Sequence, residues 1–361
     1  RRRIRTVCRF ISAMGSRAIV WMMDTGPTLT IKAWFRMKSN PLFRCGSGFN
    51  TMRITGPIIK FIDVKSILTK SNLPIADYSV NPYVGCTHGC KYCYASFMKR
   101  FTNHPEPWGT FLDVKYWDEL KNPAKLRGKE LFFGSVTDPY LPEEERFERT
   151  RTLLEQLADS GITNEIRVSI QTKSDLVLRD IDLIRRFRDI RVGFSINTLD
   201  EGFRADMDCA VSIQRRLSAM KTLYDAGVRT TCFISPIFPG ITDVEAIIER
   251  VKNQCNLIWL ENLNLRGSYK GDILAYIREK YPEASPLYQE IYTHGSSLYW
   301  EALDARLRVF ASELGLEYVR NDDSMKRAFN DPPVIVNFFY HEKIKKSANV
   351  STRGTDAVPR I

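Results

Sequence analysis

Asn81-Pro82-Tyr83-Val84-Gly85-Cys86-Thr87-His88-Gly89-Cys90-Lys91-Tyr92-Cys93-Tyr94-Ala95 places three of the chain's eight cysteines within eight positions, spaced C-x3-C-x2-C. Cysteines gathered this tightly in a chain of 361 residues point to a metal or cluster rather than to a disulfide framework. Thiolates select iron–sulfur clusters or zinc. A four-iron cluster ordinarily takes four protein thiolates, so three leave one iron open to a small chelating ligand. The competing reading is a zinc site completed by His88 or by a distant cysteine, which the lack of a second separated ligand pair disfavours. Gly85 and Gly89 suit backbone that must wrap closely around such a centre.

Working outward, the stretch closes the first of six β-rich runs, at residues 78–84, 130–136, 165–171, 190–197, 228–235 and 256–265. Between them lie helical patterns at about 143–160, 175–187, 208–226 and 243–252, the third ended by Gly227 and the fourth preceded by a Thr242 cap. Strands alternating with helices predict a parallel sheet with right-handed crossovers. Six units predict an α/β fold, an incomplete (β/α)6 TIM-like barrel rather than a closed eightfold one. After residue 265 the pattern turns helical and Tyr-rich, at about 271–280 and 296–314, with an irregular tail after Asp331. The expected domains are a basic extension at 1–51, non-native or disordered, with Met52 as a start; a partial barrel at 52–265; and a mainly helical cap at 266–361.

Composition adds little about the substrate. Of the formal charge of +11, residues 1–50 carry +9, with ten Lys/Arg and one Asp, so the remainder is nearly neutral. Apolar content of 43% supports a sizeable core and excludes a disordered chain. Arg9 and Arg17 interrupt any secretory apolar run, and no stretch of about 20 apolar residues offers a membrane span. A cytoplasmic protein is expected. The small cluster at 343–346 reads as a solvated terminus, and the cap aromatics Tyr269, Tyr288, Tyr292, Tyr299 and Trp300 read as core.

The triplet, with an aromatic before its last cysteine, resembles the signature of the radical S-adenosylmethionine (SAM) superfamily. With Gly134-Ser135-Val136-Thr137-Asp138-Pro139-Tyr140 and Thr150-Arg151 it resembles the branch containing spore photoproduct lyase, the DNA repair photolyases. Residues 73–78 and 234–243 are most similar to the radical SAM mobile pair protein B family. The resemblance implies the radical SAM type of partial barrel, a [4Fe-4S] cluster on Cys86, Cys90 and Cys93, and SAM chelating the open iron. It implies reductive cleavage to methionine and a 5′-deoxyadenosyl radical in a lyase-like or other radical enzyme. An electron donor such as flavodoxin or ferredoxin, and a second radical SAM protein (mobile pair protein A), are the partners implied.

By the same resemblance Tyr92 packs near the adenine, Gly134, Ser135 and Asp138 lie near the methionine amino group, Lys173 meets its carboxylate, and Ile234 flanks the adenine. Ser195 and Asn197 share one strand face and point to the ribose, since two polar residues in a core need partners. Catalytic candidates are Glu261, from its position at a strand end near the Asn321-Asp322-Asp323-Ser324 turn, and Cys232. Spore photoproduct lyases carry a hydrogen-donating cysteine where this chain has Ser135, and a serine O–H bond is too strong for that role. The substrate stays open, with nucleic acid as one class. The alternatives are a lesion lyase of the spore photoproduct type and a non-catalytic iron–sulfur or zinc protein.

Overall fold

The computed structural model describes residues 9–11, 17–24, 29–35, 56–73, 75–320 and 334–337. The chain divides into two compact units, Arg1–Thr55 and Gly56–Ile361. The first carries an antiparallel meander of β1 (Arg9–Ile11), β2 (Arg17–Asp24) and β3 (Leu29–Phe35).

In the second unit a nine-stranded sheet is built from β5 (Leu68–Lys70), β6 (Tyr78–Val80), β9 (Glu130–Phe133), β10 (Arg167–Thr172), β11 (Asp189–Ser195), β12 (Arg229–Ile237), β13 (Leu257–Asn262), β14 (Glu317–Arg320) and β15 (Val334–Asn337). Its order is β14-β15-β13-β12-β11-β10-β9-β6-β5, parallel throughout except for the β5–β6 pair. The six expected strands follow one another in chain order, β6 to β13, as the open parallel wall of an incomplete barrel. A second sheet, β4 (Ile58–Asp63), β8 (Phe111–Tyr116) and β7 (Tyr83–Val84), stands beside the cysteine loop.

The helices are α1 (Glu144–Phe147), α2 (Arg149–Asp159), α3 (Ile181–Ile184), α4 (Glu201–Met207), α5 (Ile213–Asp225) and α6 (Val244–Val251); α2, α3, α5 and α6 cover the outer face of the sheet, whereas Phe203 and Met207 of α4 pack with Tyr92 and Phe238. Leu153, Leu154 and Leu157 of α2, Leu217 and Met220 of α5, and Ile247 and Ile248 of α6 form one buried cluster with Val168, Ile170, Val192, Phe194 and Ile258 of the strands. Each such side chain stabilises the fold by roughly 1.5–3 kcal/mol on burial. The C-terminal region adds α7 (Tyr269–Lys280), α8 (Ser285–Tyr292) and α9 (Leu298–Glu313). Tyr288 and Trp300 are buried there, as core residues.

Local chemistry explains where the pattern and the fold part. The first run is two strands, because Pro82 offers no N–H and Asn81 turns its side chain to the end of β9. The helix expected at 143–160 breaks at Glu148, whose φ is +52°. Residues 175–187 form a short 3-10 turn and then α3. α5 starts at Ile213, not at Asp208, capped by Ser212. The α6 cap is Asp243; Thr242 instead donates to the Asn197 carbonyl. In place of an irregular tail, β15 enters between β13 and β14. The turn at 321–324 and the basic cluster at 343–346 lie outside the described residues.

Candidate functional site

The cysteine loop leaves β7 at Val84, which pairs with Asp113 of β8. Gly85 has φ +95°, and a Cβ there would stand 2.4 Å from the Phe111 carbonyl oxygen, so only glycine lets the loop lie on β8. Tight turns follow: Gly89 N–H donates to Cys86 O (3.2 Å) and Cys93 N–H to Cys90 O (3.1 Å). From the far side, Lys91 N–H donates to Met207 O (2.9 Å) and Cys209 N–H to His88 O (2.8 Å). Thr137 Oγ1 donates to Gly85 O at 2.6 Å. The loop is therefore held from several elements at once.

Cys86, Cys90 and Cys93 are all free thiols. Burial, then the proximity of Cys90 and Cys93, pushes Cys86 far up. Burial pushes Cys90 up to about 12, with Lys173 opposing, and raises Cys93 against the Ala95 N–H. Such thiols ionise poorly by themselves, and metal coordination reverses that outright. Among the described residues no group of three His, Cys, Asp or Glu stands ready for a single metal ion. The fit to a four-iron cluster rests on the donor set: three thiols gathered in one clamped loop.

That loop is tied to the strand ends by Asp138. Its carboxylate accepts from Thr172 Oγ1 (2.7 Å), Lys173 N–H (2.7 Å) and Tyr140 N–H (2.8 Å), and stands 3.0 Å from His88 Nε2. Burial would raise this carboxyl, but His88 and the hydrogen bonds hold it below the usual range. Asp138 is thus fully engaged within the protein. His88 Nδ1, also buried, has no partner among the described residues. At the end of β9, Gly134 has φ +94° and packs where a Cβ would meet Gln171 O at 2.6 Å. Ser135 Oγ accepts from Asn81 Nδ2 at 2.9 Å, and its carbonyl accepts from Tyr94 OH.

Lys173, half-buried at the end of β10, has its ammonium 5.8 Å from the Tyr92 ring centre. Burial would lower its pKa, but Cys90 and Asp208 raise it. The ammonium therefore stands over the ring that precedes Cys93. Tyr92 is buried, and its hydroxyl donates to Asp208 Oδ2 at 3.3 Å. Asp208 Oδ1 pairs with Arg216 at 2.7 Å, and Arg216 donates to the Ser195 carbonyl at 3.1 Å. This fully buried arginine links α5, β11 and the cysteine loop, and motif reading passed over it. Its signal was an arginine on the apolar stripe of Ile213, Leu217 and Met220.

Ser195 Oγ accepts from Gln171 Nε2 at 3.1 Å, and Asn197 Nδ2 reaches Pro236 O at 3.4 Å. Both expected ribose residues therefore have protein partners. Parallel register aligns Ser195 with Phe233 and Trp259, and Phe194 with Cys232 and Ile258. Cys232 and Ile234 therefore lie on the helix-covered face, among core residues. The strand period shows which residues share a face but leaves the inward choice open. Glu261, on the Trp259 face of β13, accepts from Ser235 Oγ at 2.9 Å; burial pushes its carboxyl up to about 7.

With this loop at the head of a parallel wall, a family model confirms the class. The chain belongs to the radical SAM superfamily, whose model matches residues 80–251. Its members are enzymes that use a [4Fe-4S] cluster and SAM. An uncharacterised protein of Methanocaldococcus jannaschii is 40% identical over 230 residues, 63% of this chain and 85% of the relative. The radical SAM Nalpha-GlyT isomerase of Pseudomonas phage M6 is 23% identical over 254 residues, 66% of this chain and 52% of the isomerase. A spore photoproduct lyase solved with AdoMet and a dinucleoside spore photoproduct aligns with a TM-score of 0.44 at 16% identity, over 62% of this chain and 66% of the lyase. Among the described residues no helix is long and apolar enough to cross a membrane.

Proposed function

We propose that this chain cleaves SAM reductively at a [4Fe-4S] cluster held by Cys86, Cys90 and Cys93, and directs the resulting radical at a substrate that enters over the strand ends. The observation that carries this reading is the gathering of three free thiols in one loop, with the Lys173 ammonium 5.8 Å from the ring of Tyr92, the residue before the third cysteine. When bound, the cluster supplies the electron that splits the sulfonium into methionine and a 5′-deoxyadenosyl radical.

The chain's own residues orient and enclose. Lys173 supplies the cation for the methionine carboxylate. The Gly134–Ser135 backbone, held by Asn81 and Tyr94, offers polar groups for the amino group. Tyr92, fixed by Asp208, and Phe238, whose rings meet edge to face at 5.6 Å, form an apolar wall for a purine. Glu261, protonated in part near neutrality, is the substrate contact. Ser135, a hydroxyl bonded to Asn81, speaks against the hydrogen-donor role of the spore photoproduct lyases. Cys232 packs among core residues, which speaks against it as a substitute donor.

Anaerobic reconstitution tests the reading. About four irons per chain, cluster absorbance near 400 nm in the parent and 5′-deoxyadenosine with dithionite and SAM are expected. Alanine at Cys86, Cys90 or Cys93 should abolish all three. Four irons with no deoxyadenosine would favour a non-catalytic iron–sulfur protein; one zinc ion and no iron would favour the zinc site.

A further inference from the structure

Just before β8, at residues 104–110, the chain returns to the cysteine loop. His104 is buried between two carboxylates, with Nδ1 2.9 Å from Glu106 Oε2 and Nε2 2.8 Å from Asp113 Oδ1, and its ring stacks on Phe111 at 3.9 Å. The segment closes at Thr110, whose N–H and hydroxyl both donate to the Pro107 carbonyl, at 3.2 Å and 2.8 Å. Within that turn Gly109 has φ +96° and lies so near the cysteine loop that a Cβ would stand 3.0 Å from the Gly89 Cα. Trp108 is thereby set against the loop. Its ring meets Phe111 edge to face at 5.8 Å and packs on the cluster that holds Tyr83, Cys86 and Leu112.

Packing accounts for the ring but not for its polar atom. Trp108 Nε1 is buried and has no hydrogen-bond partner among the described residues. Buried N–H groups are nearly always paired, so this one calls for an acceptor that the protein alone does not complete. The group it faces is the Cys93 sulfur: burial raises that thiol, and the Ala95 N–H, Lys173, the Trp108 indole and the Ser96 N–H oppose the rise. A neutral thiol accepts weakly, whereas a charged acceptor takes a much stronger hydrogen bond. We propose that the Trp108 indole N–H donates to the Cys93 sulfur once that sulfur ligates the cluster, and thereby raises the cluster's reduction potential; the proposal rests on the function proposed above. Reduction adds negative charge that the ligating sulfurs share, so a donor there stabilises the reduced state more than the oxidised one. The Ala95 and Ser96 donors belong to the backbone, and the indole is the donor that a substitution can remove.

The test replaces Trp108 in the reconstituted protein by Trp108→Phe and, separately, by benzothienylalanine, which keeps the shape of the indole but has sulfur in place of N–H. Iron content is measured first, and the midpoint potential is then followed by electron paramagnetic resonance during an anaerobic redox titration. Both replacements are expected to bind as much iron as the parent and to be harder to reduce. Their reduction equilibrium should fall about threefold to tenfold, or ~28–59 mV for one electron. An unchanged or higher potential in both would overturn the proposal. So would a benzothienyl variant at the parent's potential beside a shifted Phe variant, because the ring and not its N–H would then set the potential. A benzothienyl variant without iron would overturn it too, by making the N–H a requirement of assembly. A parent that binds no iron would sink the proposed function itself, and this inference with it.

Discussion

Nε2 of His88 lies 3.0 Å from Oδ2 of Asp138, with both side chains buried, and this contact joins the middle of the cysteine loop to the ends of two barrel strands. Asp138 also receives Thr172, Lys173 and Tyr140, so one carboxylate sets the loop, the β10 end and the backbone of Lys173 in a common frame.

Asp138→Asn is expected to destabilise the protein by about 2–4 kcal/mol, because an amide turns one acceptor into a donor facing other donors. Urea unfolding should show a lower midpoint with an unchanged slope. Iron content after reconstitution should fall with it. A variant as stable as the parent would show that Asp138 does not tie the loop.

Arg216 and Asp208 form a pair with side chains 0% and 1% exposed. Removing one partner strands a buried charge, so Arg216→Met and Asp208→Asn should each cost about 3–5 kcal/mol. The double variant should cost clearly less than their sum, and a double-mutant cycle measures the difference. Additive losses would mean the two act separately.

Gly85 and Gly161 both have positive φ, but a Cβ meets a carbonyl oxygen only at Gly85 and open space at Gly161. Gly161→Ala should therefore cost about 1 kcal/mol, from backbone strain alone, and Gly85→Ala at least about twice that. Thermal unfolding of the two variants side by side checks the order, and equal losses would refute it.

Glu261 has its carboxyl raised from 4.5 to about 7 by burial. The folded state then holds a proton that the unfolded state releases, so its contribution is full below about pH 4.5 and is lost as pH rises towards 7. Glu261→Gln removes this dependence. Relative to the parent, the variant should gain roughly 1–3 kcal/mol between pH 5 and pH 8. Paired urea titrations at the two pH values measure it, and a constant difference would show that Glu261 does not titrate there.

Much of this was legible in the chain itself. Three cysteines at C-x3-C-x2-C announce their chemistry because a metal-binding loop is local, and the β and α runs announce their order because burial periodicity is local. All six expected strands are present, in sequence, in the parallel wall. Trp108 was also in plain view, but a sequence does not say which buried N–H is left without a partner.

Side and partnership were not legible. The strand period puts Ser195 with Asn197, and Cys232 with Ile234, yet whether a face meets helices or the barrel interior depends on the packing of the whole sheet. Likewise His88 and Asp138 are 50 positions apart, and Tyr92 and Asp208 are 116 apart. The sequence by itself determined the thiol triplet and the succession of strands. Only the tertiary structure decided which distant charges would neutralise one another, because a buried charge is tolerated only where the fold brings a partner to it.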